Sequence, residues 1–185
     1  MFSHESLPSM PFPVRIVTTA VLAAALSVAA PVYAVQPAPL DTQIARLVGL
    51  LGDSYTEADP KSALVQTLDL PHGRTLKLAA ITISHYGGGT NYRQYLALFE
   101  QDRDDRGPRE HFTLLDVMQV GAKGWRMVRE LNAEARLDAH TGKVQLRLPV
   151  LVNTPSDVLH SPSRKASVQL EFDRELREVN AEAAP

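Results

Sequence analysis

Residues suited to chemistry crowd most densely into the stretch HYGGGTNYR, where His85, Tyr86, Asn91, Tyr92 and Arg93 surround Gly87, Gly88 and Gly89. A glycine loop cradles phosphate when it opens a helix, because the first backbone N–H groups and the helix dipole then face the anion. Here the following residues alternate instead. Tyr95, Ala97 and Phe99 fall on one face and Tyr92, Gln94, Leu96 and Leu98 on the other, so a strand follows and no helix N-terminus is on offer. The loop is therefore read as a connection between two strands, with Gly87, Gly88, Gly89 and Asn91 supplying positive φ angles. Its polar and aromatic residues, His85, Tyr86, Asn91, Tyr92 and Arg93, form a rim suited to a glycan or a peptide and are the candidate binding residues.

Metal chemistry finds little support. His72, His85, His111, His140 and His160 never fall at the HxH or HExxH spacings that bring two imidazoles to one ion. The acidic stretch DRDDRGPRE has Arg106 where a calcium loop needs its third carboxylate and Thr113 where the closing glutamate belongs, so it reads as a solvated connection. No metal site and no cofactor is expected. Trp125, between Lys123 and Arg126, has the chemistry of a sugar-stacking residue, but an aromatic opening a strand is read first as core.

The elements that must position these groups are bounded by composition. The chain has 185 residues, 44% hydrophobic and 22% charged, a balance that fits one domain with a real core. Residues 1–34 read as a signal peptide: Arg15 precedes the apolar stretch Ile16–Ala30, and Val32-Tyr33-Ala34 places small side chains at the two positions a signal peptidase reads. Met10 offers an internal start from which Met10–Ala34 is itself a compact signal peptide. Cleavage after Ala34 is expected, leaving no transmembrane segment and a periplasmic or secreted protein. The net charge of −2 argues against nucleic acid or an anionic membrane as the main partner. With no cysteine, disulfide staples, thiolate catalysis and thiolate metal sites are all excluded.

After a proline-containing tether at 35–39, Leu40, Ile44, Leu47, Val48 and Leu51 recur every three or four residues and predict a helix, with Gly52 as a left-handed terminator. From Leu64 the period becomes two. Runs at 64–70, 75–84, 92–101, 112–119, 125–137, 144–152 and 168–172 predict about seven strands joined by short turns. The run 75–84 is apolar on both faces. Pro149, inside the clearest alternation (Val144, Leu146, Leu148, Val150, Val152), marks an edge or a bulge. The predicted fold is mainly β (α+β): a curled or barrel-like, mostly antiparallel sheet with one short N-terminal helix packed at one end. It spans 40–180, and 181–185 is read as a disordered tail.

Two resemblances bear on function. Gly52-Asp53-Ser54 resembles the nucleophile block of the GDSL, or SGNH, esterases, and Asp157-Val158-Leu159-His160 resembles their late Asp-x-x-His block. That resemblance implies Ser54 as nucleophile, His160 as general base and Asp157 as the group orienting the base. The helical pattern before Gly52, the absence of alternating strands and helices, and Tyr92 in place of aspartate in GGTNY depart from that family. The second resemblance covers about residues 75 to 173. GGGTNYRQYLALFEQ, VGAKGWR and a closing strand after SPSRKASVQLEF are similar to a group of exported bacterial proteins with one small β-rich domain, for which no activity is implied. The reading is therefore an exported envelope protein that works by binding, its partner a cell-envelope glycan, a peptide or another protein. The alternative is a serine esterase using Ser54, Asp157 and His160.

Overall fold

The computed structural model describes residues 39–104 and 107–183; the expected signal peptide and most of the tether lie outside the described residues. Among the described residues one α-helix, α1 (Leu40–Leu51), precedes nine strands: β1 (Leu64–Asp69), β2 (Thr75–Ser84), β3 (Tyr92–Asp104), β4 (Gly107–Ala122), β5 (Arg126–Met127), β6 (Glu134–Leu137), β7 (Val144–Val152), β8 (Arg164–Phe172) and β9 (Leu176–Ala183). They form one antiparallel sheet in the order β1-β2-β3-β4-β5-β7-β8-β9, with β6 hung on β7. The sheet curls without closing. Among the described residues no helix is long and apolar enough to cross a membrane.

The two apolar faces of β2 have two different partners. Leu76, Leu78 and Ala80 point inward with Leu96 and Leu98 of β3, and meet Val144, Leu146, Leu148 and Val150 of β7 and Val168, Leu170 and Phe172 of β8. The inner faces of β1–β4 and β7–β8 thus share one core. Ala79, Ile81 and Ile83 point the other way and, with Ala97 and Phe99, form the floor on which Ile44 and Leu47 of α1 are buried. The helix does not pack at one end of the sheet, as its place in sequence suggested; it lies against the second face of β2 and β3. The Gln43 side chain fastens it there by donating to the Phe112 carbonyl at 3.0 Å.

Gly52 ends the helix for a reason other than left-handed backbone. Its φ of −81° and ψ of 167° are extended. A Cβ there would overlap Thr56 Oγ1 and crowd the Val48 carbonyl oxygen at 3.3 Å, so space selects glycine.

The predicted strand 125–137 is two short strands with an irregular segment, 128–133, between them. Side chains replace the missing ladder. The Gln94 amide donates to the Val128 carbonyl at 2.9 Å and accepts from its N–H at 2.7 Å. The Gln66 amide treats Ala133 the same way, at 2.8 and 2.7 Å. Each glutamine satisfies two backbone groups that burial would otherwise penalise. Gly121 leaves room for this, since a Cβ there would come within 2.8 Å of Gln94 Oε1 and 2.7 Å of the Arg126 carbonyl oxygen.

Pro149 sits where β7 has a partner on one side only. β8 pairs along its whole length, but β6 covers only 144–147 and β5 only 151–152 on the other side, so the missing N–H interrupts no ladder there. Towards the C-terminus, β8 begins at Arg164 rather than Val168, and Leu176–Ala183 forms β9, so strand continues to Ala183 where a tail was expected after Asn180.

Candidate functional site

A single row of paired residues crosses one end of the sheet: Ile83 lies beside Arg93, Arg93 beside Ala122, Ala122 beside Arg126, Arg126 beside Val152 and Val152 beside Arg164. The loops leaving this row therefore gather at one end. They include residues 85–91, the turn 123–125 and the loop 153–163.

The glycine stretch is a strand connection. His85 takes the left-handed region at φ 65°, followed by Gly87 at 66° and Gly88 at 76°, which turn the chain from β2 into β3. Gly89 has φ −107° and Asn91 is not left-handed, so two of the four expected positive-φ positions are corrected, and His85 takes up the role instead.

Beside this connection lies a cleft of about 440 Å³ lined by Asp53, Tyr86, Gly87, Asn91, Tyr92, Arg93, Ala122 and Lys123. Four of the five rim residues read from the sequence, Tyr86, Asn91, Tyr92 and Arg93, line it together. His85 does not; its imidazole faces a separate furrow, with Nδ1 3.5 Å from Glu57 Oε2. Asp53 and Lys123 complete the cleft and were missed as members. Asp53 stands in the sequence within the esterase-like block, and Lys123 only beside Trp125.

Each lining group is held by its neighbours. Tyr86 is buried under α1, its hydroxyl donating to the Leu51 carbonyl and lying 3.2 Å from the Tyr95 hydroxyl. Burial first, and the Tyr95 contact second, push its phenol well above the ordinary tyrosine range. The Arg93 guanidinium lies over the Tyr86 ring, 4.4 Å from its centroid, a cation–π contact that fixes an exposed charge at the cleft edge. Lys123 Nζ donates to Thr90 Oγ1 at 2.6 Å on the other edge. Tyr92 lines the cleft, yet its hydroxyl is buried and has no hydrogen-bond partner among the described residues. Burial alone raises its titration point.

Asp53 is the acid of the cleft, and its oxygens are already occupied. Oδ1 accepts from the Tyr55 N–H at 2.9 Å and Oδ2 from the Gly87 N–H at 3.1 Å, tying the loop after α1 to the glycine connection. Those two bonds, Tyr55 first, hold its carboxyl below the usual 3.8. Because its pKa is depressed in the folded state, the tie is complete above the unfolded value and is lost as pH falls through the lower, folded one. An amide-shift titration should show the Gly87 N–H moving with a midpoint below 3.8; a midpoint at or above it would mean that the carboxylate does not hold this loop.

The esterase residues lie at the same end of the sheet but stay apart chemically. Asp157 accepts from the Thr154 N–H at 2.8 Å, the Ser163 N–H at 3.0 Å and Ser163 Oγ at 2.8 Å, so both its oxygens serve its own loop. These bonds, Thr154 first, lower its pKa. Ser54 and His160 are exposed. No hydrogen bond among the described residues joins any two of Ser54, Asp157 and His160.

Trp125 is a second correction, being 42% exposed rather than core. At the opposite end of the sheet a furrow of about 650 Å³ runs past His72, Arg74, Glu100, Asp102 and Arg103. Its lining sets Arg74, Arg103 and Arg109 against Glu100 and Asp102; Arg74 pairs with Glu100 at 2.5 Å, and Asp102 accepts from the Thr113 hydroxyl at 3.0 Å. No protein-family model, curated protein or solved structure matches this chain.

Proposed function

We propose that this is an exported protein of the bacterial cell envelope that works by binding, and that the cleft between Arg93 and Lys123 takes an anionic, carboxylate-bearing part of an envelope glycan or peptide. One observation carries the reading. Two cations, Arg93 and Lys123, flank the cleft against one carboxylate, Asp53, which also accepts from backbone N–H groups, so the lining carries one positive charge in excess. An anion placed there gains charge-assisted hydrogen bonds without displacing an internal salt bridge. Export and cleavage after Ala34 belong to this proposal and are tested by finding Val35 at the N-terminus of protein recovered from the envelope.

The binding itself is tested by retention on purified peptidoglycan sacculi. Hydrogen bonds to charged groups contribute about 1.5–3 kcal/mol each. Arg93→Ala and Lys123→Ala should therefore each weaken retention roughly tenfold or more. Arg93 is exposed, so thermal stability should barely change on its removal. Unchanged retention in both variants would remove the cleft from consideration.

A further inference from the structure

Three of the exposed large apolar side chains, Trp125 at 42%, Val158 at 62% and Leu159 at 57%, belong to two neighbouring loops. The turn 123–125 and the loop 153–163 are stitched together: the Gly124 N–H donates to the Leu159 carbonyl at 2.6 Å and the Asn153 N–H to the Trp125 carbonyl at 2.9 Å. A Cβ on Gly124 would already touch Leu159 Cδ2 at 3.4 Å.

These side chains are held outward on braced loops. Asp157 fixes the longer loop through Thr154 and Ser163, and the Ser161 N–H donates to the Val158 carbonyl at 2.8 Å. The indole of Trp125 rests against the Arg126 guanidinium, 3.9 Å from ring centroid to Cζ. That guanidinium is itself locked by Glu178 and by the Val120 carbonyl. Single exposed apolar residues need no explanation, but three grouped on mutually braced loops mark a contact surface.

The surrounding charge indicates the kind of partner. Lys123 lies on the shorter loop, and the pairing of Val152 with Arg164 and of Leu151 with Lys165 puts two exposed cations at the base of the longer one. That loop carries one acid, Asp157, against these three cations. A chain of net charge −2 therefore gathers positive charge around its exposed tryptophan, valine and leucine. Aromatic and aliphatic tips ringed by Lys and Arg suit the boundary of an anionic bilayer, where the tips enter the headgroup layer and the cations meet lipid phosphates.

We propose that this end of the sheet docks on an anionic phospholipid surface through Trp125, Val158 and Leu159, with Lys123, Arg164 and Lys165 facing the headgroups. Lys123 also lines the Arg93 cleft, so the tests that separate the two surfaces use Val158, Leu159, Arg164 and Lys165, which do not line it. Trp125 is the chain's one tryptophan, so its emission reports the contact directly. With phosphatidylglycerol vesicles the emission should shift to the blue and the protein should sediment with the lipid, and molar salt should reverse both. Phosphatidylcholine vesicles should give neither. Val158→Ser with Leu159→Ser should weaken sedimentation roughly tenfold or more at unchanged melting temperature, because both side chains are already exposed. Arg164→Gln with Lys165→Gln should lower the salt dependence. The proposal is overturned by no response to phosphatidylglycerol, by equal binding to both lipids, or by full binding of the Val158/Leu159 variant. A blue shift that grows with protein concentration in the absence of lipid would overturn it in favour of self-association.

Discussion

Leu146→Ala should destabilise the domain by about 2–4 kcal/mol, the usual cost of emptying a large core position, whereas Arg147→Ala, one residue along, should cost under about 1 kcal/mol. Leu146 is 1% exposed and faces Leu170 on β8 and Ala135 on β6 across the ladder, so its loss opens a cavity between the two halves of the sheet. Arg147 points to the other face, with a guanidinium nitrogen 3.9 Å from Glu134 Oε2 and only a long contact to Ser167 at 3.4 Å. Urea unfolding of the two variants measures the contrast. Equal costs would mean that β7 presents the opposite face to the core.

Glu178→Ala should be comparably damaging, at about 3 kcal/mol, although Glu178 lies on the edge strand β9. The reason is its partner. Arg126 is 3% exposed, and its guanidinium receives two carboxylate contacts from Glu178, at 3.0 and 2.7 Å, while Nε donates to the Val120 carbonyl at 2.6 Å. Removing the carboxylate strands a buried charge, whereas replacing both partners by apolar residues of similar size is often neutral or better. Arg126→Met combined with Glu178→Leu should therefore recover much of the loss. A Glu178→Ala variant within about 0.5 kcal/mol of the parent would show that the guanidinium finds water instead.

This ion pair also shows where sequence reading ran out. The helix over 40–51 and the strands at 75–84 and 144–152 were legible because their partners impose a simple period: Ile44 and Leu47 recur at helical spacing, and Val144, Leu146, Leu148 and Val150 alternate. The two-faced apolar run of β2 was visible as well, and its meaning, a core on one side and a helix on the other, became clear only with the packing. β9 was not legible, since Arg177 and Glu178 look like solvated residues until Arg126 is placed opposite, 52 positions away. The same holds for the irregular segment 128–133, whose backbone is satisfied by Gln94 and Gln66 from 34 and 67 positions away.

The candidate site divides along the same line. Tyr86, Asn91, Tyr92 and Arg93 are close in sequence and stood out as a crowd of polar and aromatic groups. Asp53 and Lys123 come from other connections and join them only because Asp53 bonds to Gly87 and Lys123 to Thr90. Local spacing carries no trace of either contact.

The central claim is that the cleft beside the glycine connection is where the ligand sits. An amide-shift titration of the isotope-labelled protein with soluble, carboxylate-bearing fragments of peptidoglycan tests it residue by residue. The account predicts that the largest shifts fall on Gly87, Asn91, Arg93 and Lys123 and that they vanish in Arg93→Ala. Shifts confined to the His72–Arg103 furrow at the opposite end of the sheet, or no shifts at all, would contradict it.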